Sequence, residues 1–355
     1  MKPARTLLIM AGGTAGHVMP ALAVAEVLRE RGWAVHWMGA PGGMENRLVA
    51  AAGYPMHAVP FSGLRGKGLL ALASLPVRLL RGFLAARAIL RQVHPDAVLG
   101  MGGYISVPGG LAARLGRCPL LIHEQNRVAG SANRLLARLG ARVLESFPAT
   151  LPHGRHTGNP VRAPITRIEE PTVRDAGRTG PLRVLVVGGS LGAAALNACV
   201  PRALALIPAA NRPQVTHQSG ERHLQALREQ YAQVHVEGDL RAFIDDMAAA
   251  YAAADLVICR SGATTVAELA AAGIPALLVP YPHAIDDHQT ANARYLADAG
   301  AAILLPQGQL DAATLAARLR GLTRDELLRM ARRARALGRA DAAVRVADEC
   351  EEAAR

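Results

Sequence analysis

The stretch from Cys259 to Leu296 reads CRSGATTVAELAAAGIPALLVPYPHAIDDHQTANARYL, and its pattern is the one from which the rest of the chain can be interpreted. A short apolar run, Leu256 to Cys259, leads into Arg260-Ser261-Gly262-Ala263-Thr264-Thr265, and an Ala- and Leu-rich helical pattern follows. The helix is expected to begin near Thr264 or Thr265. Glycine and hydroxyl residues between a buried strand and a helix predict a turn whose backbone N–H groups bind a phosphate or diphosphate.

A second strand, expected at Ala276 to Pro280, ends in another polar segment. Ligands of open α/β sheets bind beyond the carboxyl ends of the strands, so two consecutive strand ends with polar side chains predict one site. Glu268, one turn into the helix, suits a ribose diol. The alternative reading is that these residues are only caps and turns of an ordinary α/β unit. The polar residues after the second strand are His283, Asp286, Asp287, His288, Gln289 and Asn292.

The rest of the chain repeats this strand–turn–helix pattern in two halves. The first opens with the apolar run Thr6 to Ala11, the turn GGTAGH and a helix expected at Pro20 to Arg31. A charged segment with Pro and Gly, Ile168 to Pro181, predicts a linker, after which Leu182 to Val187 and the turn GGSLG restart the pattern. We therefore predict an α/β protein with two doubly wound parallel sheets and a cleft between them. Further strands are expected at Ala34 to Met38, Ala97 to Met101, Leu120 to Glu124 and Arg142 to Phe147.

Composition limits what such a protein can do. The 355 residues are enough for two domains, and aromatic residues make up only 3%, so the cores must be aliphatic. The formal charge of +12 is almost all arginine spread along the chain, which genome composition explains as well as an anionic partner does. Four widely separated cysteines predict reduced thiols and a cytoplasmic protein. The N-terminal apolar run is too short for a signal peptide or a membrane span.

Several nucleotide-binding classes are disfavoured by their missing motifs. The turn GGTAGH lacks the spacing of G-x-G-x-x-G, and the second strand ends in Trp37-Met38-Gly39 without an acidic residue for a ribose, which argues against a dehydrogenase. No P-loop motif, G-x-x-x-x-G-K-[ST], occurs, which argues against a P-loop NTPase. There is also no Asp-x-Asp pair and no cluster of His and Cys. We therefore expect no metal and no cofactor, with the diphosphate held by backbone dipoles and arginines.

Seven motifs in order along the chain resemble one family. GGTAGH, GGYISVPGG, HEQN, GNPVR, GGSLGA, HQSG and CRSGATTVAEL…DDHQTANA are similar to those of the MurG family, the bacterial UDP-N-acetylglucosamine:lipid I N-acetylglucosaminyltransferases. The resemblance spans essentially the whole chain. It implies the GT-B fold, with a first domain at 1–163, a second at 164–340, and a C-terminal helix at about 341–355 that packs back on the first.

The resemblance also implies the reaction. N-acetylglucosamine would pass, with inversion, from UDP-N-acetylglucosamine to the muramyl 4-hydroxyl of undecaprenyl-linked lipid I, giving lipid II for peptidoglycan. His17 is the candidate base or phosphate donor, and His123 and Glu124 are its rivals. Ile244 would offer its backbone to the uracil, and His288 competes with Gln289 for the sugar. The implied substrate-binding residues are Thr14, Ala15, Gly16, Asn126, Arg162, Ser190, Ile244, Ala263, Thr264, Thr265, Val266, Ala267, Glu268 and Gln289.

A lipid acceptor predicts a surface that faces the membrane. No acidic residue occurs between Glu45 and Asp96, whereas this segment contains several basic residues, and Leu69 to Leu90 is rich in leucine. This pattern suits peripheral attachment to an anionic membrane surface, which the family would place on the cytoplasmic face of the bacterial inner membrane. The alternative is that Leu79, Phe83, Ala86 and Leu90 form a core-facing stripe. The basic residues are Arg47, Arg65, Lys67, Arg78, Arg81, Arg87 and Arg91.

Two other functions are kept open. Another GT-B enzyme, such as a UDP-sugar epimerase or a glycolipid glycosyltransferase, would share the donor site but lack the GGYISVPGG and HEQN pair. A non-enzymatic nucleic-acid binder is disfavoured because aromatic residues are scarce and no nucleic-acid module is recognisable, so we expect no nucleic-acid partner. Proteins of cell-wall synthesis are candidate partners under the family reading.

Overall fold

The computed structural model describes residues 5–61, 74–189 and 192–355. The chain folds as two compact units, the first made of Met1–Arg162 with Arg339–Arg355 and the second of Ala163–Gly338. Each unit contains a parallel sheet with helices on it. The two doubly wound sheets expected from the sequence are therefore confirmed.

The described part of the first unit contains a seven-stranded parallel sheet in the order β3-β2-β1-β4-β5-β6-β7. Alternate residues of the first strand enter cores on opposite faces, Leu7 and Ile9 on one and Leu8 and Met10 on the other. The strands are β1 (Thr6–Met10), β2 (Ala34–Gly39), β3 (Met56–Ala58), β4 (Ala97–Gly100), β5 (Leu120–Glu124), β6 (Arg142–Glu145) and β7 (Arg155–His156). The helices that precede the second unit are α1 (Ala15–Glu30), α2 (Met44–Ala51), α3 (Leu75–Val93), α4 (Ser106–Leu115) and α5 (Ser131–Arg138).

The described part of the second unit contains a six-stranded parallel sheet in the order β10-β9-β8-β11-β12-β13. Its strands are β8 (Arg183–Val187), β9 (Gln214–Gln218), β10 (Asp239–Arg241), β11 (Leu256–Cys259), β12 (Ala276–Leu278) and β13 (Ala302–Leu304). Its helices are α6 (Ala163–Thr166), α7 (Pro171–Arg174), α8 (Ala194–Ala205), α9 (Leu224–Gln233), α10 (Met247–Ala253), α11 (Ala263–Ala272), α12 (His288–Ala297), α13 (Ala312–Gly321) and α14 (Arg324–Leu337).

The C-terminal helix α15 (Ala342–Ala353) belongs to the first unit. Val346, Ala347 and Cys350 are fully buried in the same core as residues of α1 and β1. Ion pairs flank this apolar face, with Arg31 at 2.7 Å from Asp348. The helix therefore completes one face of the first sheet, although its sequence follows the second unit.

Two expectations about local structure are wrong. Helix α1 begins at Ala15 instead of Pro20, because the N–H groups of His17 and Val18 already bond to the carbonyl of Thr14. The segment Ile168 to Pro181 is not a free linker, since it contains α7 and is bound to the second unit. Its composition gave no sign that its arginines would be buried.

Arg178 shows how that segment is held. Its guanidinium lies 2.8 Å from the carboxylate of Asp255 and also donates to the carbonyls of Ala252 and Ala254. Burial alone would raise the pKa of Asp255, but the N–H of Arg183 and the guanidinium groups of Arg178 and Arg324 outweigh it and lower that pKa. The buried carboxylate therefore depends on its cationic partners.

We expect Arg178→Met to lower the free energy of unfolding by about 1–3 kcal/mol, because a buried charged hydrogen bond is lost. Since the pKa of Asp255 is depressed in the fold, the contribution of this pair is present above the carboxyl's unfolded pKa and is lost as the pH falls through the folded value. Urea unfolding at neutral and acid pH measures both effects, with the exposed Arg332→Met as the control. Equal losses for the two variants at neutral pH would contradict this role.

Candidate functional site

Each sheet has one place where neighbouring strands continue into connections on opposite sides. In the first unit this place lies between β1 and β4, and in the second between β8 and β11. Such switch points leave a crevice at the carboxyl ends of the strands, where open α/β sheets bind ligands. All four strands run directly into the glycine-containing turns that the sequence singled out.

The first glycine turn is anchored from beneath by a buried carboxylate. Glu45 is fully buried, accepts the N–H of Gly13 at 3.2 Å and accepts the N–H of Ala40 at 3.0 Å. A Cβ on Gly12 would collide with this carboxylate, so the turn needs glycine there. Thr14 then has an extended backbone and is the N-cap of α1. These contacts fix the position of the turn relative to the sheet.

Thr14, Ala15, Gly16 and His17 form the surface of that turn and the first turn of α1. Thr14 is exposed and the other three are partly exposed. The ring of His17 lies against Gly102 of the turn after β4, where a Cβ would come within 2.8 Å of the ring. Its Nδ1 lies 3.1 Å from Oε1 of Gln125. The structure therefore brings His17 and the turns after β1, β4 and β5 together.

His123, Glu124 and Asn126 follow at the end of β5. His123 is fully buried, and burial lowers its pKa to about 4 in spite of the bond from Nε2 to the carbonyl of Gly158. The carboxylate of Glu124 is also buried and accepts the N–H of Asn126 at 2.9 Å and that of Gly130 at 3.0 Å. His123 is therefore bonded to the segment after β7 and Glu124 to the loop after β5, while Asn126 is partly exposed.

The glycine turn after β8 also has a buried side chain beneath it. Gln218, at the end of β9, accepts the N–H of Gly189 at 3.2 Å and donates to the carbonyls of Gly189 and Ala242. The neighbouring His217 is fully buried between Tyr231 and Asn197, and burial lowers its pKa to about 3. The predicted site residue Ser190 lies outside the described residues.

The turn after β11 forms the start of α11. Gly262 is the N-cap, so the helix begins at Ala263, slightly earlier than expected. Thr264, Thr265 and Ala267 are partly exposed, whereas Ala263 and Val266 are buried. Val266 is only 1% exposed, and its N–H already bonds to the carbonyl of Gly262. The first N–H groups of a helix of this length favour an anion.

Glu268 lies one turn further along α11 and is 7% exposed. The hydroxyl of Tyr251, from α10, donates to Oε2 of Glu268 at 3.1 Å. Tyr251 is itself only 1% exposed, so its position is fixed by packing. The carboxylate is thus oriented by a buried neighbour that the sequence gave no reason to select.

Gln289, in the first turn of α12, is joined to the turn after β11. Its backbone carbonyl accepts from Oγ of Ser261 at 2.8 Å, and its Oε1 accepts the N–H of Tyr281 at 2.9 Å. Because Oε1 of Gln289 accepts the N–H of Tyr281, the NH₂ group is the end of this amide that can donate to a ligand. Nδ1 of His288 donates to the carbonyl of Ile285, which makes His288 part of the loop.

Arg162 and Ile244 complete the predicted set. Arg162 is the last residue of the first unit before the chain enters the second, and it is partly buried. Ile244 follows β10, is 5% exposed and lines an open groove of about 930 Å³. This groove extends to Arg183 and Gln214 at the amino ends of β8 and β9, so most of it lies away from the carboxyl edge of the sheet. We therefore place the candidate site at the switch point and not in the groove.

Within the described residues, no three His, Cys, Asp or Glu side chains lie together as they would around a metal ion. The anionic ligand that suits these turns would be met by backbone N–H groups and helix starts. Arg260 ties the strand ends together, since its guanidinium donates to the carbonyls of Val279 and Pro280 and to Gln307.

Comparison with known proteins gives the family. The model of the glycosyltransferase family 28 N-terminal domain matches residues 7–145, and that of the C-terminal domain matches residues 183–346. The chain belongs to glycosyltransferase family 28. A relative from Bordetella parapertussis, named UDP-N-acetylglucosamine--N-acetylmuramyl-(pentapeptide) pyrophosphoryl-undecaprenol N-acetylglucosamine transferase, is 60% identical over 99% of both chains. A relative of the same name from Aromatoleum aromaticum is also 60% identical, over 99% of this chain and 98% of its own.

Solved structures of glycosyltransferases also match this chain. The crystal structure of MurG from Acinetobacter baumannii is 40% identical, with a TM-score of 0.85 over 98% of this chain and 99% of that one. The calicheamicin glycosyltransferase CalG4 is 20% identical, with a TM-score of 0.67 over 99% and 98% of the two chains, which shows the fold alone. The resemblance to the MurG family and the GT-B fold class are confirmed.

Sequence reasoning missed the residues that support the site. Glu45, Gln125, Gln218 and Tyr251 were assigned no role, yet each is buried and bonds to a residue or turn of the predicted site. Gln125 and Gln218 lie inside the HEQN and HQSG motifs, so the motifs were the available signal. Nothing local to Glu45 or Tyr251 indicates which turn or side chain each would meet.

Proposed function

We propose that this chain transfers N-acetylglucosamine from UDP-N-acetylglucosamine to the muramyl 4-hydroxyl of lipid I, forming lipid II. The observation that carries this proposal is the 60% identity, over 99% of the chain, to relatives whose names state that transfer. The geometry supports it, since each unit has a switch point lined by turns suited to phosphate. An epimerase or another GT-B transferase has no comparable observation in its favour.

In the proposed mechanism, the acceptor hydroxyl attacks the anomeric carbon of the donor sugar. Its oxygen forms the new glycosidic bond, the bond from that carbon to the diphosphate breaks, and UDP leaves with the bonding electron pair. His17 takes the hydroxyl proton. We assign this role to His17 because it is partly exposed, whereas His123 and Glu124 are buried and bonded to backbone groups.

The second unit is proposed to hold the donor. The start of α11, Ala263 to Thr265, and the turn containing Ser190 would neutralise the leaving diphosphate. Glu268 would accept hydrogen bonds from the ribose, Ile244 would present its backbone to the uracil, and Gln289 would donate to the sugar. Val266 and Ala267 complete the α11 contacts. On the first unit, Thr14, Ala15, Gly16, Asn126 and Arg162 remain proposed contacts.

The first unit is proposed to attach to the cytoplasmic face of the inner membrane. Helix α3 presents one outward stripe in which Val77, Leu80 and Leu84 are each more than half exposed, and Arg87 and Arg91 continue it with exposed cations. An apolar stripe extended by cations favours an anionic lipid surface. Of the described helices, none has the length and hydropathy needed to cross a bilayer.

The core-facing alternative for this segment holds for a different face of the same helix. Ala86 is fully buried, and Leu79, Phe83 and Leu90 pack on the same core. The two faces therefore have different partners, and the core-facing stripe does not compete with the outward one. Arg65, Lys67 and Leu69 lie outside the described residues.

Glu268→Ala is expected to weaken UDP-N-acetylglucosamine binding by about 1.5–3 kcal/mol, because a charged acceptor for the ribose is lost. Calorimetric titration with the donor measures this. Glu237→Ala, which removes an exposed carboxylate in the same unit, is the matched control and should bind the donor normally. Unchanged affinity in Glu268→Ala would remove the ribose assignment.

His17→Ala is expected to lower turnover by about 10²–10⁴ while donor affinity is retained, because a proton acceptor is lost. The assay measures UDP release with UDP-N-acetylglucosamine and a soluble lipid I analogue. The wild-type chain should release UDP only when the acceptor is present. Isomerisation of the UDP-sugar without acceptor would contradict the proposed function, whereas normal turnover by His17→Ala would contradict only the choice of base.

The double variant Leu80→Glu with Leu84→Glu is expected to reduce binding to vesicles of anionic phospholipid by about 10-fold or more, since apolar contact is lost and like charge is added. Cosedimentation measures the bound fraction. The control is Leu206→Glu, which alters an equally exposed leucine of the second unit. An equal loss in the control, or no loss in the double variant, would contradict this surface.

A further inference from the structure

Gln125 directly follows β5, is only 1% exposed, and its amide contacts three residues of the first unit, Met101, His123 and His17. Nε2 lies 2.9 Å from the carbonyl oxygen of Met101 and 3.2 Å from Nδ1 of His123. Oε1 lies 3.1 Å from Nδ1 of His17. The side chain therefore touches the residue proposed as the base and a buried histidine behind it.

The orientation of this amide is decided by its partners. A carbonyl oxygen only accepts hydrogen bonds, so the group that faces Met101 must be the NH₂. His123 agrees with this orientation. Its Nε2 faces the carbonyl of Gly158 at 2.9 Å and must carry the proton, so in the neutral ring Nδ1 accepts from the Gln125 NH₂. Burial lowers the pKa of His123 to about 4, which keeps this ring neutral at physiological pH.

The orientation of the Gln125 amide determines which nitrogen of His17 carries the proton. Once the NH₂ of Gln125 is committed to Met101 and His123, its oxygen faces the His17 ring, and that oxygen can only accept. Nδ1 of His17 must therefore donate. In a neutral imidazole with its proton on Nδ1, the lone pair that takes up a further proton is on Nε2.

We propose that Gln125, held by Met101 and His123, is a positioning residue that fixes the neutral His17 ring in the Nδ1–H tautomer, so that Nε2 is the nitrogen that accepts the acceptor's proton. This inference rests on the proposed role of His17 and deepens it. Gly102 leaves room for this contact, since a Cβ there would come within 2.8 Å of Nδ1 and Cε1 of the His17 ring. Buried partners that set the tautomer of a working histidine are a general device in proteins.

The direct test is a nitrogen spectrum of the full chain labelled with ¹⁵N-histidine. The His17 signals are assigned by their absence from His17→Ala. At a pH where His17 is neutral, the wild-type chain should show a protonated Nδ1 and an unprotonated Nε2. A protonated Nε2 with an unprotonated Nδ1 would overturn the proposal without any variant.

The variant Gln125→Met tests whether Gln125 is what sets the tautomer of His17. It keeps the length of the side chain but offers no amide oxygen, so His17 should shift toward the Nε2–H tautomer. Turnover with the soluble lipid I analogue should fall about 10- to 100-fold with donor affinity unchanged, because a histidine in the wrong tautomer is a poor base. Gln218→Met, which removes the corresponding buried amide of the second unit, should leave the His17 tautomer unchanged.

The outcomes separate this inference from the proposed function. If Gln125→Met keeps both the Nδ1–H tautomer and normal turnover, Gln125 does not position the ring. If the tautomer shifts as expected while His17→Ala turns over normally, Gln125 sets the tautomer but His17 is not the base. Should Gln125→Met fail to fold, the wild-type spectrum alone decides the tautomer.

Discussion

The glycine turns at the switch points depend on buried oxygen atoms beneath them. Such a turn must leave backbone N–H groups available to a ligand, yet a turn without side chains has little to hold its shape. Glu45 accepts the N–H of Gly13 in the first unit, and Gln218 accepts the N–H of Gly189 in the second. The two units thus support their glycine turns with different side chains, a carboxylate in the first and an amide in the second.

The proposed chemistry uses the units differently. The first contributes a partly exposed histidine backed by two buried side chains, His123 and Gln125, together with a helix that has an exposed apolar stripe. The second contributes the start of α11 and a carboxylate oriented by Tyr251. In this proposal the first unit takes the proton from the hydroxyl of the lipid substrate at the membrane, and the second binds the nucleotide diphosphate. No covalent intermediate on the protein is needed in this scheme.

The sequence was sufficient for the fold class because its signals are local. Unbroken apolar runs such as Leu256–Cys259 followed by glycine turns identify parallel strands and their carboxyl ends. Short strands such as Met56–Ala58 and Asp239–Arg241 lack such runs, and we did not predict them. The linker prediction failed because burial of Arg178 depends on Asp255, far along the chain. Similarly, motif resemblance selected His17, but only the folded contacts showed its connection to Gln125.

The proposed reaction is a single displacement, in which one histidine takes the proton while UDP leaves and no side chain forms a bond to the sugar. The anomeric configuration of the product tests it most directly. UDP-N-acetylglucosamine is α-linked, so the wild-type chain should give a β-linked N-acetylglucosamine on the lipid I analogue, read from the anomeric proton coupling in the NMR spectrum. An α-linked product would rule out a single displacement, because retention requires a second displacement and a nucleophile that the proposed mechanism does not contain.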